Sequence, residues 1–314
     1  MKKNLVYGPV PSRRLGRSLG LDLVPYKTCT YDCVYCQLGR TTNQTTERRR
    51  YVPIDQALGQ LGDRLREGPP PDFIGLAGSG EPTLHSGIGE IIDGIKRMTD
   101  VPIAVLTNGS LLWDPNVQRS LCNADLVLPS LDAGSPETYQ RVNRPHPGIP
   151  FDRMVEGLVD FTRGFKGRVD LEVFVLSGLT DQEEEIRRIA ALAQKIRPSR
   201  VQLNTVTRPP AESAAVPVSP SSLERLCKIF QLPCEVIAEH PLPPKTLTME
   251  RQAAEEQILS LLERRPCTVD GIATGLGLAP NDVIKHLDHL ESVGKLRSER
   301  RENGLFYSGV NEPS

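Results

Sequence analysis

The stretch YKTCTYDCVYCQLGR, residues 26–40, holds three of the chain's seven cysteines within eight positions. Cys29, Cys33 and Cys36 form C-x3-C-x2-C directly after an apolar run, 18–24, that reads as a strand. Three thiolates from one loop can bind a metal centre. Structural zinc is normally closed by four protein ligands, and the nearest histidine along the chain is His85. Three thiolates suit a [4Fe-4S] cubane in which one iron carries no protein ligand and is left for a small molecule.

The rest of the composition is that of an ordinary folded protein. The chain has 314 residues, 38 % apolar and 25 % charged, with a formal net charge of −1. That balance supplies no global attraction to nucleic acid or to an anionic membrane. No apolar run reaches membrane-spanning length, and prolines interrupt the start before a signal-peptide core could form. The expectation is a cytoplasmic protein with no membrane partner and with reduced thiols, where clustered cysteines mean metal or redox chemistry. Cys122, Cys227, Cys234 and Cys267 lie outside the cluster and read as buried, unreactive cysteines.

Working outward from the triad, six apolar runs read as strands: 18–24, 73–78, 103–107, 125–131, 169–176 and 200–206. Helical periodicity lies between them, as at 55–67, 88–98 and 181–196, the last preceded by Thr180 and opening with acidic residues. Alternating strands and helices predict parallel strands joined by right-handed crossovers. Six units predict an α/β fold, a partial (β/α)6 TIM-like barrel, with a doubly wound open sheet as the rival. The proline-rich AEHPLPPKTLT, 238–248, then marks a boundary. Beyond it three helical segments precede two strands around an Asn-Gly turn, the order of a winged helix. The predicted layout is a barrel over 1–238, a linker over 239–249 and a small winged-helix domain over 250–314.

Polar stretches recur where the strands end. AGSGEPTLH (77–85) follows the second strand and offers Ser79, Gly80 and Glu81, whose glycines let backbone approach a ligand. LTNGS (106–110) offers Thr107 and Asn108, and PSLDAG (129–134) offers Ser130 and Asp132. In a parallel barrel these ends share one rim, where α/β barrels build their sites. Glu172 on the fifth strand and Asn204 on the sixth join the candidates. Arg141, Arg144 and His146, and the basic run Arg13, Arg14 and Arg17, stand between a substrate clamp and solvated loop charge. The run 47–51 reads as a solvated loop.

Over about residues 5–235 the chain resembles the radical S-adenosylmethionine (radical SAM) superfamily. The triad carries Tyr35 before its last cysteine, as that superfamily's triad usually does, and Ser79-Gly80-Glu81-Pro82 resembles its Gly-Gly-Glu-Pro motif with serine at the first position. The resemblance implies a [4Fe-4S] cluster on Cys29, Cys33 and Cys36 whose open iron chelates S-adenosyl-L-methionine. An electron then cleaves the sulfonium, and a 5′-deoxyadenosyl radical removes hydrogen from a substrate; an external electron donor is required. Tyr35, Ser79, Gly80, Glu81, Thr107, Asn108, Ser130, Asp132, Glu172 and Asn204 are the expected cofactor contacts. The opening YGPVPSRRLGRSLGLDL and the GSGEPT form are similar to a branch related to the tRNA wyosine-synthesis enzymes. That branch has a second cluster built from earlier cysteines, and no cysteine precedes Cys29.

Residues 251–314 carry eight Lys/Arg against ten Asp/Glu, so the tail lacks the concentrated positive charge that phosphate binding needs. Arg297, Arg300 and Arg301 could still form a local patch on the wing. Peptide or protein is therefore favoured over RNA as the partner of the tail. The alternative function is a non-catalytic iron–sulfur redox sensor that binds DNA through the winged helix.

Overall fold

Apolar residues recur at strand and helix spacing along most of the chain, and the structure uses them to build one large sheet covered by helices. It is a computed structural model that describes residues 4–12, 14–207, 210–237, 251–278, 280–301 and 304–310. In chain order the sheet strands are β1 (Val6–Ser12) and β2 (Gly16–Leu21), then, after two short loop strands β3 (Thr28–Cys29) and β4 (Asn43–Gln44), β5 (Phe73–Leu76), β6 (Ile103–Thr107), β7 (Leu126–Pro129), β8 (Arg168–Phe174), β9 (Arg200–Asn204) and β10 (Cys234–Val236). The helices between them are α1 (Ile54–Arg66), α2 (Ile88–Met98), α3 (Pro115–Leu121), α4 (Pro136–Val142), α5 (Phe151–Gly164), α6 (Glu183–Ile196) and α7 (Pro220–Cys227).

The strand order is β1-β2-β5-β6-β7-β8-β9-β10, with β1 antiparallel to β2 and every later pair parallel. The six expected strands are β2 and β5 to β9, laid side by side in sequence order. No reversal of that order occurs, and a doubly wound sheet requires one. Two strands of this sheet are not among the expected six, nor are the short loop strands β3 and β4. β1 is broken by two prolines, and β10 is only three residues long.

The sheet is buried on both faces. Ile74, Leu76, Val105, Val127, Leu171, Val173, Val201 and Leu203 have no exposed surface, and Ile88, Ile91, Ile92 and Ile95 of α2 pack on them as the helix's apolar face. Each such side chain contributes about 1.5–3 kcal/mol by leaving water. Helix starts follow local chemistry. Asp114, Ser135 and Ser219 cap α3, α4 and α7, each followed by proline at the first helical position. Thr180 does not cap α6: its hydroxyl accepts from the Leu176 amide instead, and Gln182 holds the cap position.

After residue 250 come α8 (Arg251–Leu262), α9 (Val269–Leu276) and α10 (Pro280–Ser292), then the antiparallel hairpin β11 (Leu296–Arg301) and β12 (Gly304–Gly309). Ile258, Leu261, Ile272, Leu276, Val283, Leu287 and Leu290 form a second core, and Val10 of β1 belongs to it. The C-terminal unit thus sits on the antiparallel edge of the sheet. The predicted linker 239–249, Arg13 and the hairpin tip at 302–303 lie outside the described residues. Among the described residues no helix is long and apolar enough to cross a membrane.

The expectation of separate reduced thiols fails at one pair. Cys227, ending α7, and Cys234, opening β10, form a disulfide with Cα atoms 5.6 Å apart. α7 and β10 pack against one another, so the chain reversal between them brings the two sulfurs within bridging range. Cys122 is exposed rather than buried, and Cys267 is buried; both are free thiols.

Candidate active site

The loop after β2 carries the triad and is tied down on several sides. Thr28 and Cys29 pair with Asn43 and Gln44, and the Thr45 amide donates to the Cys29 carbonyl. The Cys36 amide closes a tight turn onto the Cys33 carbonyl at 3.1 Å, and Val34 exchanges backbone hydrogen bonds with Val142 and Glu212. Cys29, Cys33 and Cys36 are free thiols lining one cavity of about 310 Å³ at the C-terminal ends of the parallel strands. Burial pushes the Cys29 thiol up to about 12, reinforced by the Glu81 charge, and pushes Cys33 and Cys36 up as well. Buried thiols of this kind ionise when a metal takes the proton's place. Asn108 Nδ2 and Asn143 Nδ2 each lie 3.5 Å from a sulfur, that of Cys29 and Cys33 respectively.

Among the described residues no three His, Cys, Asp or Glu side chains converge on a point where one ion would sit. The three thiols that line the cavity are the donor type that iron–sulfur clusters take.

The turn after β5 lies directly against the cysteine loop, and glycine is what permits it. A Cβ on Gly80 would stand 1.7 Å from the Thr28 carbonyl oxygen. The Glu81 amide donates to that oxygen at 3.1 Å, and the Lys27 amide donates to the Ser79 carbonyl at 2.7 Å. Glu81 is buried, and its carboxylate accepts from the Thr83 amide and hydroxyl, the Thr107 hydroxyl and the Asn108 amide. Burial raises its pKa while those hydrogen bonds oppose the rise. The carboxylate therefore joins the turn to the end of β6. Ser79 donates its hydroxyl to Asp22 at 2.5 Å.

Farther round the rim, Ser130 bridges to Glu172 through the backbone. Glu172 accepts from Asn204 Nδ2 at 2.8 Å and pairs with Arg14 at 2.7 Å. The Tyr35 ring stacks on Phe174 with centroids 4.0 Å apart. Nine of the ten expected cofactor contacts, Tyr35, Ser79, Gly80, Glu81, Thr107, Asn108, Ser130, Glu172 and Asn204, line the cavity with the three cysteines. Asp132 does not line it. It lies buried behind Tyr35, accepting from the Tyr35 hydroxyl, Asn143 Nδ2 and the Phe174 amide. Burial pushes its pKa up to about 6 against the pull of those bonds.

The loop charges divide. Arg14 lines the cavity, whereas Arg144 binds Glu212 through both its terminal nitrogens and Arg40 joins the same carboxylate. Arg144 is therefore a strap over the cysteine loop rather than a free clamp. Arg141 is exposed, and His146 accepts from the nearby Gly148 amide. Arg17 lies at a separate groove beside α1. Arg48, in the run read as solvated, instead donates to the Thr83 carbonyl. The sequence reading missed Lys27, Phe174, Thr205 and Thr207, all at the cavity. Phe174 and Thr205 lie at the ends of the fifth and sixth expected strands, and that position is the signal the sequence carries for them.

The family model described as the Radical SAM superfamily matches residues 23–190, from just after β2 into α6 and including the triad. The chain belongs to the radical SAM superfamily. This radical SAM chain is also 34 % identical over 317 aligned positions to the UPF0026 protein of Methanocaldococcus jannaschii, covering 96 % of this chain and 95 % of that one. It is 40 % identical over 312 positions to a Brachyspira hyodysenteriae protein named GTPase Obg, covering 99 % of this chain and 46 % of that one. The chain thus spans about half the length of that relative. Among solved structures, a radical SAM methyltransferase from Sphaerobacter thermophilus matches with a TM-score of 0.54 and 19 % identity, over 70 % of this chain and 65 % of that one. At that identity the likeness speaks to fold alone: an α/β architecture around a mostly parallel sheet.

Proposed function

We propose that the protein is a radical SAM enzyme that holds a [4Fe-4S] cluster on Cys29, Cys33 and Cys36 and binds S-adenosyl-L-methionine in the same cavity. The observation that carries this reading is the meeting of three free thiols and nine expected contact residues in one space. When bound, such a centre supplies the electron that cleaves the sulfonium, giving a 5′-deoxyadenosyl radical for hydrogen abstraction. The chain's own residues do the holding. The Ser79–Glu81 turn and Asn108 border the cysteine loop and suit the amino-acid end of the cofactor. Glu172, joined to Asn204, suits the ribose hydroxyls. The half-buried triad lines an open cavity, and a cofactor bound over it would exclude water from a reactive radical.

In this reading the sheet is a partial (β/α)6 TIM-like barrel over 1–238, and residues 250–314 form a winged-helix domain beyond a linker at 239–249. The polar rim favours an enzyme over a DNA-binding redox sensor, because a sensor has no need for cofactor contacts at several strand ends. The excess of acidic residues in the tail favours a peptide or protein substrate over RNA. A kinship with the wyosine-synthesis branch rests on the GSGEPT form. An external one-electron donor completes the system.

The test is anaerobic reconstitution with iron and sulfide, followed by S-adenosyl-L-methionine and dithionite. Formation of 5′-deoxyadenosine supports the assignment. A fully loaded cluster that yields none overturns it.

A further inference from the structure

Arg264 follows α8 and belongs to the C-terminal unit, yet its guanidinium reaches the back of the cofactor cavity. Nη1 lies 3.0 Å from Asp22 Oδ2, and the guanidinium sits over the Tyr7 ring, 4.4 Å from its centroid. Nη2 donates to the Asn4 carbonyl at 2.6 Å. The ion pair is well shielded: the Arg264 side chain is 15 % exposed and that of Asp22 1 %.

Two of these three partners of Arg264, Asp22 and Tyr7, grip the same turn. Asp22 accepts from the Ser79 amide at 3.0 Å and the Ser79 hydroxyl at 2.5 Å. The Tyr7 hydroxyl donates to the Ala77 carbonyl at 3.2 Å. Between these anchors Gly78 takes φ +152°, and a Cβ there would stand 2.8 Å from the Asp22 carboxyl. The Tyr7 ring lies so close over Gly20 that a Cβ there would be 2.0 Å away. The ring has no room to shift toward β2. Ser79 is also the position at which the chain departs from Gly-Gly-Glu-Pro, and its hydroxyl is spent on Asp22.

We infer that Arg264 is a positioning residue for the cofactor-binding turn: by pairing with Asp22 and stacking on Tyr7 it holds Ala77–Glu81 in the form that S-adenosyl-L-methionine meets. The inference rests on the proposed function for the identity of the ligand. It makes the C-terminal unit part of the site's construction as well as a separate core. Leu261 and Leu262 anchor the chain just ahead of Arg264 in that core, and Val10 of β1 packs into it. A shift of the unit on β1 therefore reaches the turn through the Arg264 guanidinium and through Tyr7, which also packs on the second core, because a buried carboxylate tolerates poorly the loss of its cationic partner.

The test compares the full-length chain with Arg264→Gln, Arg264→Lys, Ser79→Gly and the double variant Ser79→Gly/Arg264→Gln. Amide hydrogen exchange is followed at 77–83 in the apo protein, and binding of radiolabelled S-adenosyl-L-methionine in the anaerobically reconstituted protein. Arg264→Gln is expected to speed exchange at the turn and weaken binding, each on the order of tenfold, with iron content and exchange in β8 and β9 unchanged. Arg264→Lys should recover part of both. The double variant should be no worse than the poorer single one, since both act through Asp22. If Arg264→Gln does not fold, the charge-free pair Asp22→Asn/Arg264→Gln takes its place, with the same expectations. Unchanged exchange at 77–83 overturns the inference, and so does a rise spread evenly over β1 and β2. If the wild type itself binds no S-adenosyl-L-methionine, the proposed function fails, while the exchange contrast still decides whether Arg264 sets the turn.

Discussion

The Tyr35 hydroxyl donates a 2.5 Å hydrogen bond to Asp132, which lies 97 positions farther along the chain. The bond fixes the ring that flanks Cys36 and stacks on Phe174, so a carboxylate outside the cavity shapes its wall. Removing it by Asp132→Ala takes the carboxylate acceptor away from three donors: the Tyr35 hydroxyl, the Phe174 N–H and the Asn143 side-chain amide, which keeps only its 3.5 Å contact to the Cys33 sulfur. Unfolding of the apo protein in urea should show a loss of about 3 kcal/mol. A loss near zero would mean that the three donors find other partners.

The same carboxyl gives a pH dependence with a defined sign. Its pKa rises from 3.8 to about 6 in the folded protein because burial disfavours the ionised form. Its contribution to stability is therefore fully present below pH 3.8 and is lost as pH rises through about 6. The stability difference between wild type and Asp132→Asn, measured from pH 4 to 7, should move against the wild type as pH rises and level off above that range. A flat difference would show that the carboxyl titrates normally.

Gly80 offers a steric test. With the Thr28 carbonyl 1.7 Å from the position a Cβ would take, Gly80→Ala must push the turn off the cysteine loop. The expected cost is about 3 kcal/mol or more, together with loss of cluster loading on reconstitution. Full iron content in this variant would mean that the loop and turn separate freely.

Glu172 and Asn204 share a hydrogen bond at the far rim from the cysteines. Asn204→Ala should weaken S-adenosyl-L-methionine binding roughly tenfold, the equivalent of one well-formed hydrogen bond, with iron content unchanged. Equal binding in mutant and wild type would remove this pair from the cofactor's contacts.

Each cysteine of the triad is expected to be needed for the cluster. Single Cys29→Ala, Cys33→Ala and Cys36→Ala variants should lose the visible absorption of a reconstituted [4Fe-4S] protein, whereas Cys122→Ala, at an exposed free thiol, should retain it. Retention of a full complement of iron in any triad variant would reassign the ligands.

Much of the site could be read along one dimension because its chemistry is local. The C-x3-C-x2-C spacing, the glycines around Glu81 and the polar residue at each strand end are short-range patterns. A parallel sheet in sequence order then gathers strand ends onto one rim without further information. Strand and helix periodicity likewise located the six central strands, since the core is built from their apolar faces.

Other features depend on contacts between distant segments, which spacing does not encode. Asp132 ends a strand like the other candidates, yet packing turns it behind Tyr35 and out of the cavity lining. Arg144 found Glu212, Cys227 found Cys234, and Arg264 found Asp22, each through the way separate elements come to rest on one another. A carboxylate or guanidinium has the same local signature whether it meets ligand, solvent or a buried partner. The distinction arises only when the chain closes around it, since burial and available partners set the energy of a charge.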